Sequence, residues 1–129
     1  MKEFQKKIKK YMNDRGWNDH LPSDYAKSIM IEGAELLENF QWDNFSAEAV
    51  KKDAAKMESI KKELADVMIY CFDLAVILNI DVQKALDEKL KKNILKYPKE
   101  LFNPKNRAKG VTEKEYWEIK KKYRKEGKN

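Results

Sequence analysis

Cysteine, histidine, proline and glycine are all scarce in this chain of 129 residues, which holds one Cys, one His, three Pro and four Gly. A single cysteine, Cys71, excludes an intrachain disulfide framework and a cysteine-based zinc site, and fits a reducing, cytoplasmic setting. So little glycine and proline leaves few turn formers for a β-rich fold. Long apolar runs are missing as well. The longest, Leu64 to Leu78, is about 15 residues, is interrupted by Asp66 and Asp73, and falls short of the roughly 20 apolar residues a bilayer requires. It predicts a buried core helix. The start, Met1-Lys2-Glu3-Phe4, has none of the apolar character of a signal peptide.

Charged residues make up 39% of the chain and are interleaved with Leu, Ile, Met and Ala, the mixture of amphipathic helices. The fold class expected is all-α, four-helix-bundle-like, of a size that one core can support. The net charge of +6 is unevenly spread. Residues 105–129 hold ten Lys or Arg against four Asp or Glu, so the entire surplus lies there and residues 1–104 are neutral. The chain therefore divides into a helical domain, 1–104, and a basic C-terminal segment, 105–129, with a short helix expected over Glu113–Lys122. Such a basic segment attracts nucleic acid or anionic substrates, or serves only as a solvated tail.

Periodicity predicts helices over Lys2–Asp14, Asp24–Phe40, Ile60–Leu78 and from Asp81 to Lys96, where Pro98 stops the last. Phe4, Ile8, Tyr11 and Met12 form the apolar face of the first. Ser23 or Asp24 is expected to cap the second, Ser46 to cap a polar stretch over Ala47–Ser59, and Thr112 with Glu115 to form a capping box. Leu101–Gly110 reads as loop.

Glu32, Glu35 and Glu38 recur every three residues on the second helix, and Glu63 and Asp66 repeat the spacing on the third. Side chains at i and i+3 lie one above the other, so these carboxylates repel unless water or a cation intervenes. Asp66 stands among Leu64, Ala65, Val67, Met68 and Ile69, and a carboxylate so surrounded is costly without a partner. Two acidic pairs on helices that can pack together suit one shared Mg²⁺ or Mn²⁺, which prefer hard oxygen donors. The absence of Glu-x-x-His motifs argues against a di-iron bundle, and the one histidine, His20, lies in a loop. The alternative is that the carboxylates line a solvated groove or pair with lysines.

The ordered set Arg15-Gly16-Trp17, His20-Leu21-Pro22, Glu32 through Trp42, Glu63 through Tyr70, Lys89, Asn93 and Lys96-Tyr97-Pro98 resembles the MazG-like superfamily of all-α nucleoside triphosphate pyrophosphatases. The likeness is greatest to the branch that acts on dCTP. It implies Mg²⁺-dependent cleavage of a (d)NTP to (d)NMP and pyrophosphate, as nucleotide-pool sanitation, by a homodimer or homotetramer. The short apolar run argues against a membrane, and the neutral charge of residues 1–104 argues against a nucleic-acid partner. The resemblance also implies that Glu32, Glu35, Glu63 and Asp66 hold the metal. Trp17, His20, Trp42 and Tyr70 are expected to contact substrate, and Lys89, Asn93 and Lys96 its phosphates. Glu38 is the candidate to orient or deprotonate the attacking water; a solvated surface glutamate is the alternative. The chain departs from the relatives in three places. Ile31 precedes Glu32 where larger relatives often have a second glutamate. Gly33-Ala34 stands in swapped order. Ile8 occupies a position where the dCTP-directed branch can present a histidine. Two other readings are a nucleic-acid-binding bundle whose acidic pairs are structural, and an inactive family member.

Overall fold

The computed structural model describes residues 1–102 and 112–128, and every described element is helical: α1 (Lys2–Asn13), α2 (Pro22–Glu38), α3 (Ala47–Lys52), α4 (Ala54–Ile77), α5 (Val82–Lys96), α6 (Lys99–Phe102) and α7 (Thr112–Lys125). No described helix is long and apolar enough to cross a membrane. The chain separates into two compact units, Met1–Gln83 and Lys84–Asn129.

In the first unit α4 is the central element, with α2 along its length and α1 and α3 against it. The amphipathic spacing of α1 places Ile8 and Met12 in the core, where they meet Tyr25 of α2 and Phe72 of α4. Phe4 completes this contact edge-on to Phe72, with ring centroids 5.2 Å apart. Burying side chains of this size stabilises by roughly 1.5–3 kcal/mol each, which makes this cluster the main cohesive contact of the unit.

Helix ends follow local chemistry. At the end of α1, Gly16 takes φ +66°, and the amides of Trp17 and Gly16 donate to the carbonyls of Met12 and Asn13 at 3.1 and 3.2 Å. This is a Schellman turn, in which the left-handed position favours glycine. Asn79, at φ 55°, closes α4 in the same way, with Ile80 N–H donating to the Ala75 carbonyl at 2.8 Å. The Gln5 side chain holds the following turn: its Nε2 donates to the Ile80 carbonyl at 2.7 Å, and its Oε1 accepts from Val82 N–H at 3.3 Å.

Several boundaries differ from the sequence expectation. Leu21, not Ser23 or Asp24, is the N-cap of α2; Pro22 takes the first helical turn, and Asp24 reaches back to accept from Leu21 N–H at 3.3 Å. Ser46 does cap α3, accepting from Ala49 N–H at 3.2 Å. The polar stretch 47–59 is two helices, because Asp53 breaks α3 and starts α4 by accepting from Lys56 N–H at 3.0 Å. α4 therefore begins at Ala54, well before Ile60. It is also less buried than a core helix: Phe72, Asp73 and Ala75 are buried, while Leu64, Met68 and Cys71 are exposed. Leu101 and Phe102 belong to α6; the rest of the expected loop, and the Thr112 side chain on which the capping box depends, lie outside what is described.

In the second unit Tyr97 stacks on Tyr116 with centroids 5.3 Å apart, and Phe102 meets Tyr97 edge-on. The Lys96 ammonium lies 4.8 Å from the Tyr123 ring and 5.4 Å from that of Tyr97. The described part of the basic segment forms a helix, α7, that carries Tyr116 and Tyr123 into these contacts.

Asp53→Ala should destabilise the protein by about 1 kcal/mol through loss of the α4 N-cap, read as a lower urea midpoint with an unchanged slope.

Candidate metal and nucleotide site

α2 and α4 run antiparallel. Lys56 donates to the Asn39 carbonyl at 2.8 Å at one end, and Tyr25 lies within the field of Asp73 toward the other. Between these points Glu32 of α2 faces Glu63 and Asp66 of α4, and one carboxylate oxygen from each comes within 4.8 Å of the others. Glu63 is the buried member, at 8% exposure, while Glu32 and Asp66 are half-buried. This reverses the sequence emphasis on Asp66. Its apolar neighbours in sequence include Leu64 and Met68, which face solvent in the single chain and do not cover it.

One oxygen of Glu63 is paired with the Lys62 ammonium at 2.9 Å, but Oε2 is buried without a hydrogen-bond partner. The charges are mutually unfavourable: burial first, and then Glu35, Asp66 and Glu63, push the Glu32 carboxyl up. Lys62 is raised in turn, chiefly by its hydrogen bond to Glu63. Three converging carboxylates and an orphaned buried oxygen are the donor set of a hard divalent cation, so the residues fit Mg²⁺ or Mn²⁺.

Glu35 is exposed and outside the converging group, though its charge acts on Glu32. Glu38 is the exposed last residue of α2. A side chain at Gly33 would meet nothing within 4 Å, so in the single chain the Gly33-Ala34 pair serves no close helix contact. The Schellman turn projects Trp17 off the end of α1, its ring edge-on to Tyr11 at 5.5 Å and its carbonyl accepting from Tyr25 Oη at 2.9 Å. His20 meets the Tyr25 ring edge-on at 6.0 Å. Trp42, in the turn after α2, is 85% exposed. Tyr70 is half-buried, one helical turn beyond Asp66, with its phenol raised by burial and by Glu32, Asp73 and Asp66. Lys89 is exposed and Asn93 half-buried on α5; they lie with Lys96 in the second unit.

One acidic residue escaped the sequence reading except as an interruption. Asp73 is 6% exposed, with Oδ1 unpartnered, and burial raises its carboxyl to about 6. The available signal was its position: Glu63, Asp66, Tyr70 and Asp73 follow i, i+3, i+7, i+10 and share one face of α4.

A family model described as the MazG-like family matches residues 27–126. The chain belongs to the MazG-like family. Among MazG-like relatives, the rat (Rattus norvegicus) protein dCTP pyrophosphatase 1 is 30% identical over 87 residues, which is 66% of this chain and 51% of the rat protein. The chain thus spans about half the length of that relative. A solved pyrophosphatase structure from Archaeoglobus fulgidus superposes with TM-score 0.65 at 37% identity, over 76% of this chain and 92% of that one.

The Asp73 carboxyl yields a prediction about stability. Its folded value of about 6 exceeds the ordinary 3.8, so the buried acid carries no penalty below pH 3.8, where both states hold the proton. The penalty grows as pH rises and is complete above about 6. Asp73→Asn should therefore be more stable than wild type by up to about 3 kcal/mol at pH 8, with the gain vanishing near pH 3.5, measured by urea unfolding at both pH values.

Proposed function

We propose that this protein is a divalent-metal-dependent nucleoside triphosphate pyrophosphohydrolase that cleaves a (d)NTP, of dCTP-like pyrimidine type, to the monophosphate and pyrophosphate. The carrying observation is the convergence of Glu32, Glu63 and Asp66, together with a buried Glu63 oxygen that has no hydrogen-bond partner. The family, and the pyrophosphatase relatives on both the sequence and the structural side, support the same reading.

In this proposal Glu32, Glu63 and Asp66 hold Mg²⁺, or Mn²⁺ in its place, and Glu35 joins through its field or as a further ligand. A bound ion of this kind neutralises phosphate charge and lowers the pKa of a water. The paired Lys62 keeps one Glu63 oxygen fixed and leaves the other without a hydrogen-bond partner. Glu38 is the residue proposed to take the proton of the attacking water. Trp17 and Tyr70 offer aromatic faces to the base, and His20 meets the Tyr25 ring at the same end of α2; Trp42, at the opposite end of α2, is assigned to substrate contact by resemblance alone. Lys89, Asn93 and Lys96 are assigned to phosphate contact by resemblance alone.

A homo-oligomer, dimer or tetramer, is part of the reading. Met30 and Leu37 on α2, and Leu64 and Met68 on α4, are large apolar side chains left exposed in the single chain, and contact with further copies would cover them. The proposed setting is the cytoplasm and the proposed role is sanitation of the nucleotide pool, with no nucleic-acid partner.

Incubation with Mg²⁺ and a panel of nucleoside triphosphates should release pyrophosphate and not phosphate; no turnover of any nucleotide by a folded oligomer would refute the proposal. Asp66→Asn and Glu63→Gln should each lower turnover at least ~10²-fold, since a metal-bound carboxylate is worth several kcal/mol at about 1.4 per tenfold, while folding at least as well as wild type. Light scattering should give twice or four times the chain mass, and a stable monomer would remove the oligomer from the proposal.

A further inference from the structure

Asp73 is a buried acid with no task in the fold. Its Oδ1 has no hydrogen-bond partner, and one neighbouring phenol is already engaged: Tyr25 Oη donates its one proton to the Trp17 carbonyl at 2.9 Å. Its field nevertheless reaches both Tyr25 and Tyr70, so the carboxyl lies beside the two phenols. Tyr70 in turn feels Glu32 and Asp66, which puts it between the acidic triad and Asp73 along α4. From Asp66 to Asp73 is two turns on one helix face, a rise of about 10 Å. That is close to the separation between the phosphates of a nucleotide and the outer edge of its base. A buried carboxylate left without a donor costs free energy that folding must offset, so its retention calls for a donor supplied from outside the chain.

We infer that Asp73 reads the base, accepting a hydrogen bond from the exocyclic amine of a cytosine-type pyrimidine and rejecting bases that present a carbonyl there. This inference rests on the nucleotide-hydrolysing function proposed above and adds to it the residue that sets specificity. The physical basis is simple. An ionised carboxylate offers only acceptors, so it is satisfied by an N–H and repelled by a carbonyl oxygen. Amine acceptance by a carboxylate is the geometry by which acidic side chains recognise the amine of cytosine in nucleic acids. In a buried setting an unmet or repelled acceptor discriminates far more strongly than an added methyl group would. Uracil and thymine carry the carbonyl at that position, so the site distinguishes dCTP from dUTP by one group.

The test uses the 129-residue protein with Mg²⁺ and compares dCTP with dUTP, both by kcat/KM and by Kd for the non-hydrolysable α,β-imido analogues, read by calorimetry. Wild type should favour dCTP at least ~10²-fold. Asp73→Asn, whose amide offers one acceptor and one donor, should bring the ratio to within about tenfold of one, with dUTP improved and dCTP weakened. Asp73→Leu should weaken dCTP without improving dUTP. If wild type turns nucleotides over but both variants keep its ratio within about threefold, Asp73 is structural and the inference is overturned while the proposed function stands. If wild type acts on no nucleotide and binds neither analogue, the proposed function falls and takes this inference with it.

Discussion

The buried carboxylate of Glu63 is the constraint around which this site is arranged. Lys62 satisfies one of its oxygens, and the other is enclosed without any donor. Antiparallel packing of α2 on α4 then brings Glu32 and Asp66 to the same point, so the chain adds negative charge where it is already unfavourable. Left alone, such an arrangement destabilises the fold; with a divalent cation it becomes a rigid cluster. The core below it, built from Ile8, Met12, Tyr25 and Phe72, fixes the register of the two helices and hence the meeting of the carboxylates.

The second tension lies two helical turns away. Asp73 carries a burial penalty that no contact in the chain relieves. Stability given up at a definite place, close to a candidate site, is the usual mark of a group kept for binding or chemistry.

Much of this was legible in the sequence, and the limits are physical. Repeating carboxylates at i, i+3 announced Glu32, Glu63 and Asp66, because helical spacing alone stacks them. Glu35 shared the spacing but turns outward. That choice is made by the rotation of α2 against α4, which no local pattern encodes. Asp66 looked more enclosed than Glu63, since its sequence neighbours are apolar; in the folded chain Leu64 and Met68 face solvent and leave it half-exposed. The first turns of α4 were hidden because the Lys-rich stretch before Ile60 lacks apolar periodicity, so the capping role of Asp53 could not be distinguished from that of a surface acid. Asp73 was visible only as an interruption in an apolar run. Its significance comes from its burial in the folded chain, and from Tyr25 donating its proton to the Trp17 carbonyl.

The account depends most on a cation shared by Glu32, Glu63 and Asp66. Titration of Mn²⁺ into the nucleotide-free protein, followed by the loss of the free-ion electron paramagnetic resonance signal, addresses it directly. The account predicts saturable binding per chain that is competed by Mg²⁺ and abolished by Glu63→Gln. Mn²⁺ binding that persists undiminished in Glu63→Gln, or no binding to the wild-type protein, would contradict it.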